Sequence, residues 1–297
     1  MKNNSSTNTG CLFTFYTLTP LHAGAGESAG SVDLPIQREK HTEYPVVYSS
    51  GIKGGLRYFF KNNLRENNAL VELIFGKEGD ESGSGKVIFT DAKILLFPVR
   101  SSEGVFKWVT CPFIIERIKN DLKFIGVENN INKITISGHD EGISSKSNGK
   151  TIVLEDFPLT IKSSPPPDVY NLIKNLTSQH FDEETLNDRL IIVSDDVFKI
   201  LVTNATQIIA RNELDKDKIS KNLWYEETVP PDSLFYLITI PVPGNDKPVN
   251  ENDKPINKFK DNIGNKMLQI GGNETIGYGL VRMSNDLSNN VKEVKND

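Results

Sequence analysis

Metal-binding and disulfide-forming residues are scarce in this chain of 297 residues. It has two cysteines, Cys11 and Cys111, which cannot build a disulfide framework or a cysteine-rich zinc site. Its four histidines are scattered, and none lies at metal-ligand spacing from another: His22, His41, His139 and His180. We therefore do not expect a zinc enzyme, and the low cysteine content favours a reducing cytoplasm.

Long apolar runs are also missing. No stretch approaches the ~20 residues that a membrane-spanning helix needs. The first ten residues, MKNNSSTNTG, are polar and lack the apolar segment of a secretory signal. We expect no membrane association. Hydrophobic residues at 37% are enough for a sizeable core, and the length allows one large domain or two of average size.

Excess positive charge is absent overall, yet basic residues are concentrated in one stretch. The net charge of -5 argues mildly against a nucleic-acid-binding protein. Between Arg38 and Arg65, however, six lysines and arginines stand against two acidic residues. An acidic protein of this kind can still present one basic face.

Hydrophobic periodicity predicts a mixture of strands and helices, and so an α+β fold with long insertions. Strands are expected at residues 12–18, 86–98, 105–110, 134–137, 151–157, 189–193 and 234–240. Helices are expected at residues 50–65, capped by Ser49 or Ser50, at 112–120, after the proline run at 163–167, and at 194–204. We predict one domain over 1–284 with a protruding hairpin at about 205–228, a charged insertion at 244–257, and a disordered polar tail at 285–297.

The first candidate site is the helix at residues 50–65. Gly51, Gly54 and Gly55 near its start would let another backbone approach the unpaired N–H groups of the helix N-terminus. Lys53 and Arg57 are expected to add positive charge on the same side. This pattern is typical of a phosphate-backbone cradle, but on its own it favours an ordinary solvated basic face.

Two loops form the other candidate sites. Four glycines between residues 270 and 282 could turn backbone amides towards an anion, although a tight turn between strands would need them equally. The loop at residues 21–45 concentrates polar and ionisable groups, with Asp33 close in sequence to His22, Arg38 and His41. An isolated aspartate in a loop more often forms local turn hydrogen bonds.

The order of these segments is more specific than any one of them. The chain carries YTLTPLHAGAG, VDLPIQREKHTEYPVV, SSGIKGGLR, LWYEETVPPDSLFY and IGGNETIGYGLVR, from Tyr16 to Arg282. In this it resembles the RAMP superfamily of CRISPR-associated proteins. Within the superfamily it is similar to backbone subunits of type III-B (Cmr) effector complexes, with type III-A backbone subunits as the alternative.

The resemblance implies a ferredoxin-like core, similar to an RNA-recognition motif, with palm, fingers and thumb. It implies that copies stack head to tail along a guide CRISPR RNA, beside other Cmr subunits, and that the complex cleaves a complementary target RNA. The hairpin at 205–228 is the expected thumb.

Functional residues follow from the resemblance at the matching positions. It implies a catalytic Asp33 supported by His22, with Tyr225 and Glu226 approaching the target. It implies guide contacts from the basic helix, its preceding loop and the glycine-rich loop: Lys53, Arg57, Arg38, Gly271, Gly272, Gly277 and Gly279.

The chemistry of Asp33 leaves alternatives open. An aspartate is a weak base at neutral pH, so coordination of Mg²⁺ or orientation of the RNA is its favoured role. A scaffold that binds RNA without cutting it is the second hypothesis. The third is a stand-alone guide-processing nuclease, in which His22 would be the general base and Asp33 dispensable.

Overall fold

The computed structural model describes residues 10–77, 83–243 and 254–291. Its strands are β1 (Cys11–Thr17), β2 (Val46–Val47), β3 (Val87–Phe89), β4 (Ala92–Arg100), β5 (Phe106–Thr110), β6 (Glu141–Ile143), β7 (Thr151–Leu154), β8 (Phe157–Ser163), β9 (Leu190–Val193), β10 (Gln207–Leu214), β11 (Ser220–Thr228), β12 (Leu234–Pro241), β13 (Met267–Gln269) and β14 (Leu280–Met283). Its helices are α1 (Ser49–Tyr58), a π-helix (Phe59–Asn63), α2 (Asn68–Phe75), α3 (Pro112–Phe124), α4 (Pro167–Thr177), α5 (Glu183–Arg189), α6 (Asp195–Asn204) and α7 (Pro255–Ile263).

A large mixed sheet organises the chain, which confirms the predicted α+β class. Its strand order is β13-β14-β1-β12-β4-β5-β9-β6-β8-β7, with β2 beside β4 and β3 beside β12. Six of the seven residues of β1 are buried, because β1 pairs with β12 on one side and β14 on the other and both of its faces are covered. Phe15 of β1 stacks on Phe235 of β12 with ring centroids 5.1 Å apart.

The basic helix forms where the sequence predicts it, but its two ends differ from the prediction. Tyr48 is the N-cap and makes no side-chain capping bond, so the expected serine cap is wrong. The last turn widens into the π-helix, in which the amide of Leu64 donates to the carbonyl of Phe59. This wider turn buries Phe59 and Phe60 together against the core.

The region 126–150 contains a wrong strand prediction. The predicted strand at 134–137 is irregular chain without a pairing partner, and the strand of this region is β6. The isoleucines of this segment pack into the core instead. Ile131 and Ile134 are buried beneath the segment, and the carboxylate of Asp168 accepts a hydrogen bond from the Asn132 amide at 2.6 Å.

The C-terminal segment corrects the prediction of a disordered tail from residue 285. Leu287 and Val291 are buried, and the amide of Leu287 donates to the carbonyl of Leu12 at 2.8 Å. Residues 285–291 therefore cover the end of β1. Residues 292–297, and most of the predicted insertion at 244–257, lie outside the described residues.

Hairpin β10–β11 confirms the predicted protrusion at 205–228. The two strands pair antiparallel from Gln207 opposite Thr228 to Leu214 opposite Ser220. Its outer part is mostly exposed, whereas Glu226, Glu227 and Thr228 at its base are buried. None of the helices in the described residues is long and apolar enough to cross a bilayer.

The packing of the C-terminal segment predicts the effect of truncating Leu287. We expect Leu287→Ala to lower the free energy of unfolding by about 3 kcal/mol, because a fully buried leucine leaves a cavity. Urea denaturation followed by circular dichroism measures the change. Leu214→Ala is the matched control, since Leu214 is 52% exposed and its loss should cost well under 1 kcal/mol. Equal losses for both variants would contradict this packing.

Candidate functional site

A groove of about 410 Å³ lies between the start of α1 and the glycine-rich loop. It is lined by Ala23, Gly24, Gln37, Val47, Gly51, Gly54, Gly55, Tyr58, Gln269, Gly271, Gly272 and Glu274. The three predicted sites therefore meet here: the helix start, the glycine-rich loop and, through Ala23, Gly24 and Gln37, the loop at residues 21–45. Half of the lining positions are glycines, so backbone forms much of the wall. We call this surface the glycine groove.

Glycine is required in the loop for two separate reasons. Gly271 has a φ of +86°, and a Cβ there would lie 2.5 Å from the carbonyl oxygen of His22. Gly279 has a φ of +71°, and a Cβ would lie 1.9 Å from the carbonyl oxygen of Ile270. Any side chain at Gly271 would push the loop away from His22, and any side chain at Gly279 would force apart the two ends of the loop.

The basic stripe of α1 does not face the glycine groove. Successive residues turn by about 100° around a helix, which separates Lys53 and Arg57 from the face that carries Gly51 and Gly54. Neither lines the groove, and the Arg57 guanidinium bonds the carbonyl of Gly76 beyond α2. The expectation that charge and glycines share one side of the helix is wrong.

Asp33 lies on the surface and is held against the outer edge of β11. Its Oδ2 accepts a hydrogen bond from the amide of Tyr225 at 2.7 Å. The next residue continues the pairing, since Leu34 donates to the Tyr225 carbonyl at 3.1 Å and accepts from the Glu227 amide at 3.0 Å. The loop therefore runs beside the hairpin as a short extra strand, and Asp33 cannot move independently of β11.

A second groove, of about 400 Å³, opens at Asp33 between its loop and the hairpin. The loop contributes Glu27, Ser28, Asp33 and Leu34, and the hairpin contributes Glu213, Asn222, Leu223 and Trp224. We call it the Asp33 groove. In the described residues no hydrogen bond reaches Oδ1 of Asp33, so this oxygen is available to an incoming group.

Glu227 supports the Asp33 loop from inside and was not among the residues predicted from the sequence. Its Oε2 accepts from the amide of Ile36 at 3.0 Å, and its Oε1 accepts from Arg38 at 2.6 Å and from Thr206 at 2.7 Å. Arg38 also donates to the carbonyls of Glu43 and Val202. The guanidinium is therefore engaged in internal contacts, and its contact with RNA stays a prediction.

His22 lies beneath the glycine groove, next to Gly24 and Gly271, and is only 9% exposed. Its Nδ1 lies 2.7 Å from the carbonyl oxygen of Glu227, which can only accept, so Nδ1 carries a proton. The Glu226 carboxylate is 3.5 Å from the same nitrogen and is also buried. His22 and Glu226 thus support the site, while Tyr225, 44% exposed, contributes its backbone to Asp33.

The fourth histidine is remote from this arrangement. Burial, together with the nearby Arg282, lowers the pKa of His180 to about 3, so the ring stays neutral at physiological pH. Its Nε2 lies 2.8 Å from the hydroxyl of Thr14 in the core. His180 is therefore a packing residue.

The donor set around Asp33 suits one kind of metal ion. In the described parts of the chain, no cluster of three or more histidine, cysteine or acidic side chains could hold a metal. Mg²⁺ commonly takes one or two carboxylates and completes its shell with waters and substrate phosphates. An exposed Asp33 with one available oxygen fits that requirement.

Comparisons with known proteins match nearly the whole chain to one family. The family model of the RAMP superfamily matches residues 14–282. The chain is 36% identical over 295 residues to the CRISPR system Cmr endoribonuclease Cmr4 of Pyrococcus furiosus, and the match covers 95% of each protein.

Solved structures give the same result at the level of the fold. The crystal structure of oligomeric Cmr4 from Pyrococcus furiosus matches with a TM-score of 0.75 and 35% identity, over 95% of this chain and all of that one. A chain of the type III-B Cmr-beta complex bound to cognate target RNA matches with a TM-score of 0.72 over 93% of this chain. At 20% identity, the second match is a likeness of fold.

The buried pair of Arg38 and Glu227 predicts a clear loss of stability when it is broken. We expect Arg38→Met to lower the free energy of unfolding by about 3 kcal/mol, because the Glu227 carboxylate stays buried without its cation. Adding Glu227→Gln should restore part of that loss. Arg100→Met is the control, since Arg100 binds Glu155 at the same 2.6 Å but its side chain is 82% exposed. Equal losses for Arg38→Met and Arg100→Met would contradict a supporting role for the buried pair.

Proposed function

The chain belongs to the RAMP superfamily, and from this premise we propose that it is a backbone subunit of a type III-B CRISPR effector complex. In this role it binds guide RNA and cleaves complementary target RNA. The observation that carries the proposal is the exposed Asp33, fixed against β11 at the mouth of a groove large enough for part of a nucleotide. The name of the relative with 36% identity, an endoribonuclease, supports the same activity.

The glycine groove is the proposed path of the guide RNA. Its wall is largely backbone, and Gly51 and Gly54 are exposed on the α1 side. A sugar–phosphate chain can approach such a wall closely and bond to amides without regard to base sequence. Tyr58, 55% exposed at the edge, offers a stacking surface. Lys53 flanks the groove as a supplementary cation, and Arg57 acts mainly through its internal contact.

Asp33 is the proposed catalytic residue for the target strand. In RNA the 2′-hydroxyl can attack the adjacent phosphorus, and the 5′-oxygen of the next nucleotide leaves with a proton. The strand then ends in a 2′,3′-cyclic phosphate on one side and a 5′-hydroxyl on the other. Oδ1 of Asp33 would orient the 2′-hydroxyl or accept its proton, while Oδ2 stays bonded to Tyr225. Bound by Asp33, Mg²⁺ would neutralise charge at the phosphate.

Partners follow from the same proposal. The relative of known structure is described as oligomeric, which supports contacts between copies of this chain along the guide and with other Cmr subunits. Hairpin β10–β11 extends beyond the core and is the proposed thumb. A head-to-tail contact of this kind continues as a filament instead of closing into a dimer.

The structure favours Asp33 over His22 as the reacting group. His22 is buried, and its Nδ1 proton is engaged by a backbone carbonyl. Asp33 is exposed and has an available oxygen. A guide-processing nuclease with His22 as general base therefore has less support than target cleavage through Asp33.

Replacement of Asp33 tests the proposal. We expect Asp33→Asn to slow cleavage of a complementary RNA at least about 100-fold in the assembled complex, because the amide cannot take up a proton or bind Mg²⁺ strongly. Its oxygen can still accept from Tyr225, so guide binding should stay within twofold of wild type. Single-turnover cleavage and filter binding measure the two quantities.

Controls and products complete this test. Asp217→Asn, at the hairpin tip, should cleave at the wild-type rate. Removing divalent metal should stop cleavage if Asp33 acts through Mg²⁺, and a 2′,3′-cyclic phosphate end would identify attack by the 2′-hydroxyl. Undiminished cleavage by Asp33→Asn would leave a non-catalytic RNA scaffold in its place.

A side chain placed inside the glycine groove tests the guide path. A Cβ on Gly54 would meet no atom within 4 Å, so Gly54→Leu should fold normally and its helix should gain stability. We nevertheless expect guide affinity to fall about tenfold, because leucine occupies the space of the RNA backbone. Ala69→Leu, on the exposed side of α2, is the control. Wild-type affinity in Gly54→Leu would place the guide elsewhere.

A further inference from the structure

The two loops that form the grooves both contact one three-residue segment of β11, Tyr225 to Glu227. The Asp33 loop pairs with the backbone of Tyr225 and Glu227. The glycine-rich loop reaches Glu226 through Asn273, whose side-chain amide donates to Oε1 of the carboxylate. A single short segment therefore connects the wall of the glycine groove to Asp33.

The backbone conformation of Asn273 places its side chain in this contact. It has left-handed dihedral angles, with φ 63° and ψ 33°, and it precedes the 3-10 turn Glu274–Ile276. Asparagine tolerates this conformation better than most residues. The conformation belongs to the same loop in which Gly272 donates to the carbonyl of His22 at 2.9 Å.

Glu226 receives this bond in a buried position. Only 2% of the residue is exposed, and the protonated Nδ1 of His22 lies 3.5 Å from the same oxygen. A buried carboxylate that loses a donor must find another partner or move towards water. Because Glu226 cannot move without its strand, such a change would be transmitted to the adjacent amide of Tyr225, which holds Asp33.

We propose that Asn273 is a positioning residue for cleavage. It acts through Glu226 and the Tyr225 amide, which together hold Asp33 in the position that the reaction requires. The inference rests on the proposed function of the two grooves. It implies that RNA seated in the glycine groove steadies the loop of Asn273 and, through it, the group that acts on the target. Glu226 then belongs to this link and does not touch substrate.

Asn273→Gly isolates the side-chain bond, because glycine keeps the left-handed backbone without strain. We expect the single-turnover cleavage rate at saturating target to fall about tenfold, since small displacements of reacting groups are costly. Guide and target affinities should stay within twofold. Asn265→Gly is the matched control: Asn265 is also left-handed, with φ 55°, but it is exposed and lies outside both grooves.

Swapping the amide and the carboxylate between residues 273 and 226 distinguishes positioning from a general packing effect. Asn273→Asp places two carboxylates together and should slow cleavage more than Asn273→Gly does. Adding Glu226→Gln restores an amide opposite a carboxylate and should recover at least part of the rate. No recovery in the double variant would count against a direct Asn273–Glu226 link.

Hydrogen exchange at the Tyr225 amide separates failure of this inference from failure of the proposed function. Asn273→Gly should speed exchange of that amide, whereas Asn265→Gly should leave it unchanged. If the wild-type complex cleaves but Asn273→Gly matches it in both cleavage and exchange, the inference is overturned. If wild-type cleavage is independent of Asp33 while exchange still rises, the link stands and the proposed function fails.

Discussion

The buried carboxylate of Glu227 is the contact on which the arrangement of the site depends. It receives bonds from Ile36 and Arg38 of the Asp33 loop and from Thr206 at the start of the hairpin, and so joins a loop to a hairpin that lies far from it in sequence. A buried charge is costly unless it is paired and hydrogen-bonded, and here the donors come from both segments. Folding therefore brings the loop and the base of the hairpin together or leaves this charge unpaired.

That constraint divides the surface into two grooves with different chemistry. The glycine groove offers backbone and a tyrosine, with one acidic residue, Glu274, among its lining residues. The Asp33 groove offers carboxylates beside the half-buried Trp224. One wall suits a nucleic-acid backbone that is held without reaction, and the other suits a strand that is to be cut. Both are attached to the base of hairpin β10–β11, so neither can move far without the other.

Much of the fold was predictable because its signals are local. Strand β1, helix α6 with its Ser194 cap and hairpin β10–β11 follow from periodicity and turn residues. The supporting role of Glu227 was not predictable, since it depends on contacts across more than 180 residues of sequence. The internal contacts of Arg38 were hidden for the same reason: its charge is visible in the sequence, but its partner Glu227 is not. Asp33 stood out in the sequence through the ionisable groups around it, but its catalytic role was expected only through the resemblance of its motif.

A structure of the Asp33→Asn complex with guide and uncleaved target RNA tests the central claim most directly. Because this variant should bind but not cut, the intact strand can be traced past the hairpin. We predict a scissile phosphate in the Asp33 groove, with the adjacent 2′-oxygen within about 4 Å of the side chain of residue 33, as near-attack geometry requires. A target strand that passes outside this groove, with residue 33 remote from every phosphate, would contradict it.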